Sequence, residues 1–156
     1  MKNKFWHFIY NILYRLHLVY CFFARPKVKG AYIICLYEQK VLIIKNSYKT
    51  YYTIPCGKVD KGESALEAAK RELKEEVNLD FPLSNFTFIE KFINETEYKY
   101  DQQYYYLINL DANDLSQIKV DGIEVVEAEL YTKNDINKLN VFPPVKRVLC
   151  EKILTG

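Results

Sequence analysis

The sequence predicts an α+β domain, a mixed α/β sandwich and not a doubly wound sheet, preceded by one extra helix. Three observations carry that reading. Short runs of β-forming residues recur along the chain, a few helical patterns interrupt them, and the connections between them are short. A fourth, the long aromatic run at the start, stands apart from that rhythm and supplies the extra helix.

Phe5 to Phe23 is apolar and aromatic except at His7, Asn11, Arg15 and His17, and it stops at Arg25-Pro26, where a proline ends a helix cleanly. Gly30 to Leu36 and Val41 to Ile44 read as two antiparallel strands, since Glu38-Gln39-Lys40 between them has hairpin length. Tyr51 to Ile54, closed by Pro55, is a third strand candidate. Ser64 to Val77 reads as a helix because Ala65, Leu66, Ala69, Leu73 and Val77 recur at helical spacing. Ser64 with Glu67 makes a capping box, and Asn78 stands where a left-handed cap is expected. Phe86 to Ile93, Gln103 to Leu110 and Glu124 to Tyr131 complete the strands. Asn134 to Leu139 suggests a short helix, and Pro143-Pro144 precedes a last one from Val145 to Leu154. Two units follow: residues 1–26 as the N-terminal helix and 27–156 as the folded domain.

At 156 residues the chain can build a full core without staples. With 49% apolar and 27% charged residues it is globular in composition and not disordered. A net charge of +2 gives no reason to expect nucleic acid as a partner. Cys21, Cys35, Cys56 and Cys150 are scattered, with no CxxC pair, which argues against zinc or a disulfide framework and for a reducing, cytoplasmic setting.

The chemistry concentrates in Gly57-Lys58-Val59-Asp60-Lys61-Gly62-Glu63 and Arg71-Glu72-Leu73-Lys74-Glu75-Glu76. On a helix Glu72 and Glu76 stack one turn apart with Glu75 beside them. Three carboxylates on one face repel each other in water, and the arrangement becomes favourable when a hard divalent cation sits among them. Gly57 and Gly62 suit a loop that turns tightly beside that face. Arg71 points away from the triplet and could clamp Glu63 by a bidentate ion pair, tying loop to helix. A glutamate-rich helix alone is more often a solvated face, with Lys70 and Lys74 as its counter-charges. The spaced Gly, Glu and Arg-Glu-Leu-x-Glu-Glu block together tip the balance.

This stretch resembles the Nudix box. Gly57, Glu63, Arg71, Glu72, Leu73, Glu75, Glu76 and Leu79 all fall in register, and Asn78 replaces the last Gly of the pattern. Asn can adopt the helix-ending conformation that Gly serves there. Cys56-Gly57 stands for the usual Gly-Gly. The resemblance extends over residues 28–154 and implies a Nudix-type α/β/α sandwich with a mixed central sheet. It also implies a pyrophosphohydrolase that uses Mg²⁺, or alternatively Mn²⁺, to cleave a nucleoside diphosphate linked to another group by water attack at phosphorus. Glu72, Glu75 and Glu76 then resemble the metal-binding carboxylates, the Cys56 carbonyl the backbone ligand, and Gly57, Glu63 and Arg71 the supporting residues. One box glutamate, Glu75 or Glu76, or an outside carboxylate would take the proton. Glu124 and Glu127 are candidates for the latter, and both are equally readable as exposed strand residues. A module of this fold that only binds a nucleotide or a protein is the alternative, although such modules usually lose box carboxylates.

Substrate signatures downstream of the box are thin. The proline of ADP-ribose hydrolases is absent, with Glu95 near its place; Tyr98 lies slightly beyond the tyrosine of dinucleoside polyphosphate hydrolases. No NADH-type Ser-Gln-Pro-Trp run and no coenzyme A signature occur. Tyr48, Tyr52, Tyr104 and Tyr106 could stack on a base or equally be core residues. Alternation places Tyr104 and Tyr106 on one sheet face and Tyr105 on the other.

As a helix, Phe5 to Phe23 would reach roughly 28 Å, nearly the apolar thickness of a bilayer. Arg15 would then sit mid-span, at a cost of roughly 2.5–3.5 kcal/mol. His7, Asn11 and Arg15 form one polar stripe on a greasy cylinder. The segment could pack on the domain or on a second copy, lie on a membrane surface, or span it; no small-residue cleavage site follows. Arg25, Lys27 and Lys29 would keep the catalytic domain cytoplasmic if it is anchored.

Overall fold

The computed structural model describes residues 2–154. Helix α1 (Lys2–Ala24) ends where Arg25 turns left-handed, at φ 41°, and gives its N–H to the Cys21 carbonyl. Pro26 then blocks continuation. Strand β1 (Lys27–Tyr37) follows, and a turn at Glu38 reverses the chain into β2 (Lys40–Asn46). Two short strands, β3 (Tyr52–Thr53) and β4 (Cys56–Lys58), lead to helix α2 (Ala65–Val77). After it come β5 (Thr87–Asn94), β6 (Tyr100–Asn109), α3 (Ala112–Gln117), β7 (Val125–Thr132), α4 (Lys133–Lys138) and α5 (Pro143–Val148). A wider π-type turn, Leu149–Ile153, extends α5.

The sheet is mixed, with β3, β2, β1, β6 and β5 as neighbours in that order; β4 adds to β1 and β7 to β2. Among the strands of the described residues β1 and β6 run parallel, in register from Lys27↔Tyr100 to Leu36↔Asn109, and an isolated parallel bridge joins Tyr52 to Val141. Strand β1 holds the sheet together, and its central residues Ala31 to Cys35 are wholly or almost wholly buried. An unbroken apolar run is what a strand covered on both faces requires. Its alternate residues serve different cores. Ala31, Ile33 and Cys35 pack with Leu42, Ile44 and the α2 residues Ala69, Leu73 and Val77. Tyr32 and Ile34 pack with Ile43, Tyr105 and, from the far layer, Ile136, Val145 and Val148. Helices therefore flank both faces, giving the expected α/β/α sandwich, and Tyr105 does oppose Tyr106 across the sheet.

Helix α2 is capped as its sequence requires. Ser64 and Glu67 exchange both capping-box hydrogen bonds, and Asn78 takes φ 64°, ψ 20° while its N–H reaches the Lys74 carbonyl. Three differences from the sequence reading have local causes. Strand β4 carries Cys-Gly-Lys, which has little strand propensity, and is set by pairing of its Gly57 with Ala31 on β1. Helix α3 is one short turn nucleated by an Asp111/Asp114 capping box that hydrophobic periodicity does not report. Prolines 143 and 144 lie inside the first turn of α5, where a missing N–H costs nothing, and not before it.

Candidate active site

A cavity of about 640 Å³ opens where the N-terminal half of β1, strand β4, the carboxylate face of α2 and the β2–β3 connection converge. Loop residues Asp121 and Glu124 close one side of it. Its wall includes Glu72, Glu75, Glu76, Cys56, Gly57, Glu124 and Tyr48, so the box and the outside carboxylate anticipated from sequence face one space.

Glu76 is the most buried of the box carboxylates, 9% exposed, and its Oε2 accepts the Cys56 N–H at 2.8 Å. Burial raises its carboxyl to about 8, against the opposing pulls of that N–H and Lys49. Glu72 is also raised by burial, although Arg71 pulls it back. The Cys56–Gly57 segment lies so close to Glu72 that a β-carbon on Gly57 would collide with that carboxylate. Glycine is thus required there by close approach and not by a positive φ.

Arg71 ties the loop to the helix. Its Nε and Nη2 donate to Glu63 Oε1 and Oε2, each at 3.0 Å, and Nη2 also donates to the Lys58 carbonyl at 2.9 Å. The expectation that Arg71 points away from the triplet is corrected here. Its Nη1 curls back to Glu72 Oε1 at 2.6 Å and to Glu75 Oε2 at 3.3 Å, because a long guanidinium serves both sides of its own turn. With Glu72 and Glu75 turned onto Arg71 and Glu76 onto the Cys56 N–H, no three acidic, His or Cys side chains among the described residues are gathered as a ligand set. The donors are nevertheless of the right chemistry for a hard divalent cation: carboxylate oxygens, crowded and partly desolvated, beside a backbone that only glycine allows so near.

Glu124 accepts the Tyr48 hydroxyl at 2.9 Å, and its own N–H is held by Asp121. Glu127 bonds the Tyr131 hydroxyl and does not line the cavity. Tyr48 lines it, yet its ring already contacts Tyr10 and Tyr14 of α1, with centroids 5.8 and 5.2 Å away. It supports Glu124 instead of presenting a free stacking face. Tyr52 lies outside the lining, under Lys45 and edge-on to Tyr131; Tyr104 is also outside, bonded to Gln102 beneath Lys91. The sequence reading missed His17 and Tyr20, which α1 contributes to the wall, and the rim of Lys27, Lys29, Lys49, Lys58 and Lys99. The polar break at His17 was the one hint of that residue, and nothing in the aromatic run singled out Tyr20. Apart from Lys27 and Lys29, which share one strand, the lysines are far apart in sequence and carry no spacing signal.

A family model described as the NUDIX domain matches residues 26–151. The chain belongs to the Nudix family. Helix α1 lies wholly outside the matched span. A Bacillus subtilis (strain 168) protein named as a candidate 8-oxo-dGTP diphosphatase is 44% identical over 57 residues, 36% of this chain and 38% of that relative's length. Among solved structures, a C. elegans Ap4A hydrolase binary complex is 25% identical with TM-score 0.66, covering 78% of this chain and 92% of that one. The MutT Nudix hydrolase of Burkholderia pseudomallei shares the fold at TM-score 0.69 and 16% identity, covering 81% and 98%.

Proposed function

We propose that this Nudix chain is a Mg²⁺-dependent pyrophosphohydrolase acting on a nucleoside diphosphate linked to a further group, with Mn²⁺ as an alternative ion. The observation that carries the reading is the convergence of Glu72, Glu75, Glu76 and Glu124 on one cavity ringed by lysines. An acidic floor under a basic rim suits a polyanion that arrives with its cation.

Glu72, Glu75, Glu76 and the Cys56 carbonyl would hold the ion once Glu72 and Glu75 rotate off Arg71. Bound there, Mg²⁺ would neutralise the diphosphate and lower the pKa of an attacking water. The lysines at the rim would orient the remaining phosphate oxygens as point charges. Glu124, aimed by Tyr48, is the best placed group to take the water's proton, with Glu75 and Glu76 as the candidates inside the box. Tyr20 and His17 would meet the part of the substrate beyond the diphosphate, and burial holds His17 towards its neutral form. The names of the matched B. subtilis and C. elegans proteins support nucleotides as the substrate class. The same reading has a cytoplasmic enzyme whose residues 5–23 contact a membrane surface or a second copy.

The test is release of phosphate or nucleoside monophosphate from a nucleotide panel, with and without Mg²⁺. Turnover that requires the metal and is nearly abolished by Glu76→Gln is expected. Undiminished activity in that variant would defeat the assignment, and silence of the folded protein across the panel would favour a binding module.

A further inference from the structure

Helix α1 is amphipathic the wrong way round for a helix whose outer side meets water. Three of its polar groups face the domain: His7 Nε2 meets the Gly122 carbonyl at 3.0 Å, Asn11 donates to the Ser47 carbonyl, and the Tyr14 hydroxyl donates to Glu97. Neither apolar core cluster includes an α1 residue. The outer side carries Phe5, Phe8, Ile12, Leu16, Val19 and Phe23, each 40–80% exposed. On a helical projection these six share one arc, opposite His7, Asn11, Tyr14 and Cys21. A continuous aliphatic and aromatic strip of that length on an outer surface marks something it docks against. Among the described residues, no helix is long and apolar enough to cross a membrane.

Charge selects the occupant. From Met1 to Tyr37 the chain has six basic residues and no acidic one; from Glu38 onward it has sixteen basic and twenty acidic. Arg15 on the helix and Arg25 just past its end are both exposed and lie beside the apolar arc. A second copy would bring the same six cations against themselves, whereas an anionic lipid surface offers apolar depth and opposite charge together.

We propose that α1 lies flat in the interface of an anionic membrane, its outer arc seated among the acyl chains, while its inner side continues to wall the catalytic cavity. The enzyme would then work at a lipid surface with His17 and Tyr20 held over its site. This inference stands on the geometry and charge of α1 and not on the hydrolytic reading.

Trp6, the chain's single tryptophan, lies on α1 to one side of the arc and is 45% exposed, so its emission responds to the surroundings of the docked helix. The full chain is mixed with vesicles of phosphatidylcholine containing phosphatidylglycerol, or of phosphatidylcholine alone. Expected are a blue-shifted, enhanced Trp6 emission and co-sedimentation with the anionic vesicles, weakened by salt and by omission of phosphatidylglycerol. Leu16→Glu with Val19→Glu should weaken vesicle binding roughly tenfold or more while leaving the circular dichroism unchanged, since both side chains point outward. Arg15→Glu, the milder second variant, should reduce binding to anionic vesicles alone. Failure of the intact chain to bind either vesicle would overturn the proposal. So would a lipid-free dimer that the double variant splits into monomers while vesicle binding is absent, because a second copy would then cover the arc. None of these readouts uses turnover, so they separate failure of the membrane seat from failure of the hydrolase assignment.

Discussion

At the residue scale, the site depends on how near backbone and carboxylate can come. Gly57 sits against Glu72 with no room for a methyl group, so Gly57→Ala must displace either the Cys56 carbonyl or Glu72. Turnover should fall by roughly two orders of magnitude while thermal stability drops little, since the displaced atoms belong to the site and not to the core. A large loss of melting temperature with a proportionate loss of activity would show the glycine to be merely structural. Tyr48→Phe removes the hydrogen bond that aims Glu124 and should lower kcat about tenfold with little change in KM. An unchanged kcat would place the proton acceptor elsewhere, among the box glutamates. The box itself was legible because its residues are close in sequence and their chemistry is tied to helical spacing. What the spacing could not show was the reach of Arg71, whose long side chain serves Glu63 and Glu72 together.

At the element scale, two helices show what local sequence can and cannot specify. Helix α2 was readable end to end, since its capping box, apolar stripe and Asn78 all act within a few residues of one another. Asn78→Gly should therefore be neutral or slightly stabilising, and Asn78→Ala destabilising by about 1 kcal/mol, because alanine resists φ 64°. Denaturant unfolding of both variants checks this; equal stability would remove the left-handed cap from the account. Helix α1 was readable as a helix, but its facing was not, since the groups that fix it come from distant loops. Chief among them is Glu97, held at φ 56° between β5 and β6. The Tyr14 and Tyr51 hydroxyls both donate to its Oε1 at 2.5 Å, and Lys99 pairs with its Oε2 at 3.2 Å. Burial alone would raise this carboxyl, yet Lys99 and the two hydroxyls outweigh it and hold the group at about 2. A carboxyl lower in the folded state than its ordinary 4.5 contributes stability above that ordinary value. The contribution fades as pH falls from there towards 2. Trp6 emission should accordingly report loosening of α1 across that acid window, and Glu97→Gln should flatten the transition. A transition that persists unchanged in Glu97→Gln would assign the acid sensitivity to another group.

At the scale of the whole molecule, helix α1 and the sandwich contribute unequally to the cavity. Residues 26–151 match the family and contain every box carboxylate, while α1 adds His17 and Tyr20 to the wall and buttresses Tyr48 through Tyr10 and Tyr14. The sandwich was predictable from the alternation of strands and helices. The joining of α1 to the cavity was not, since it rests on contacts more than thirty residues apart, such as Asn11 to Ser47 and His7 to Gly122. A chain beginning at Lys27 tests that division. It loses no residue of either apolar core cluster, so it should fold with the sandwich intact. With the wall gone, KM for the substrate should rise by roughly tenfold or more, and kcat should fall only as far as it does in Tyr48→Phe, since both changes leave Glu124 poorly aimed. A truncated enzyme with unchanged KM and kcat would show that α1 takes no part in catalysis or substrate binding and serves location alone. One with intact KM but abolished kcat would move α1 from the substrate wall into the catalytic machinery itself.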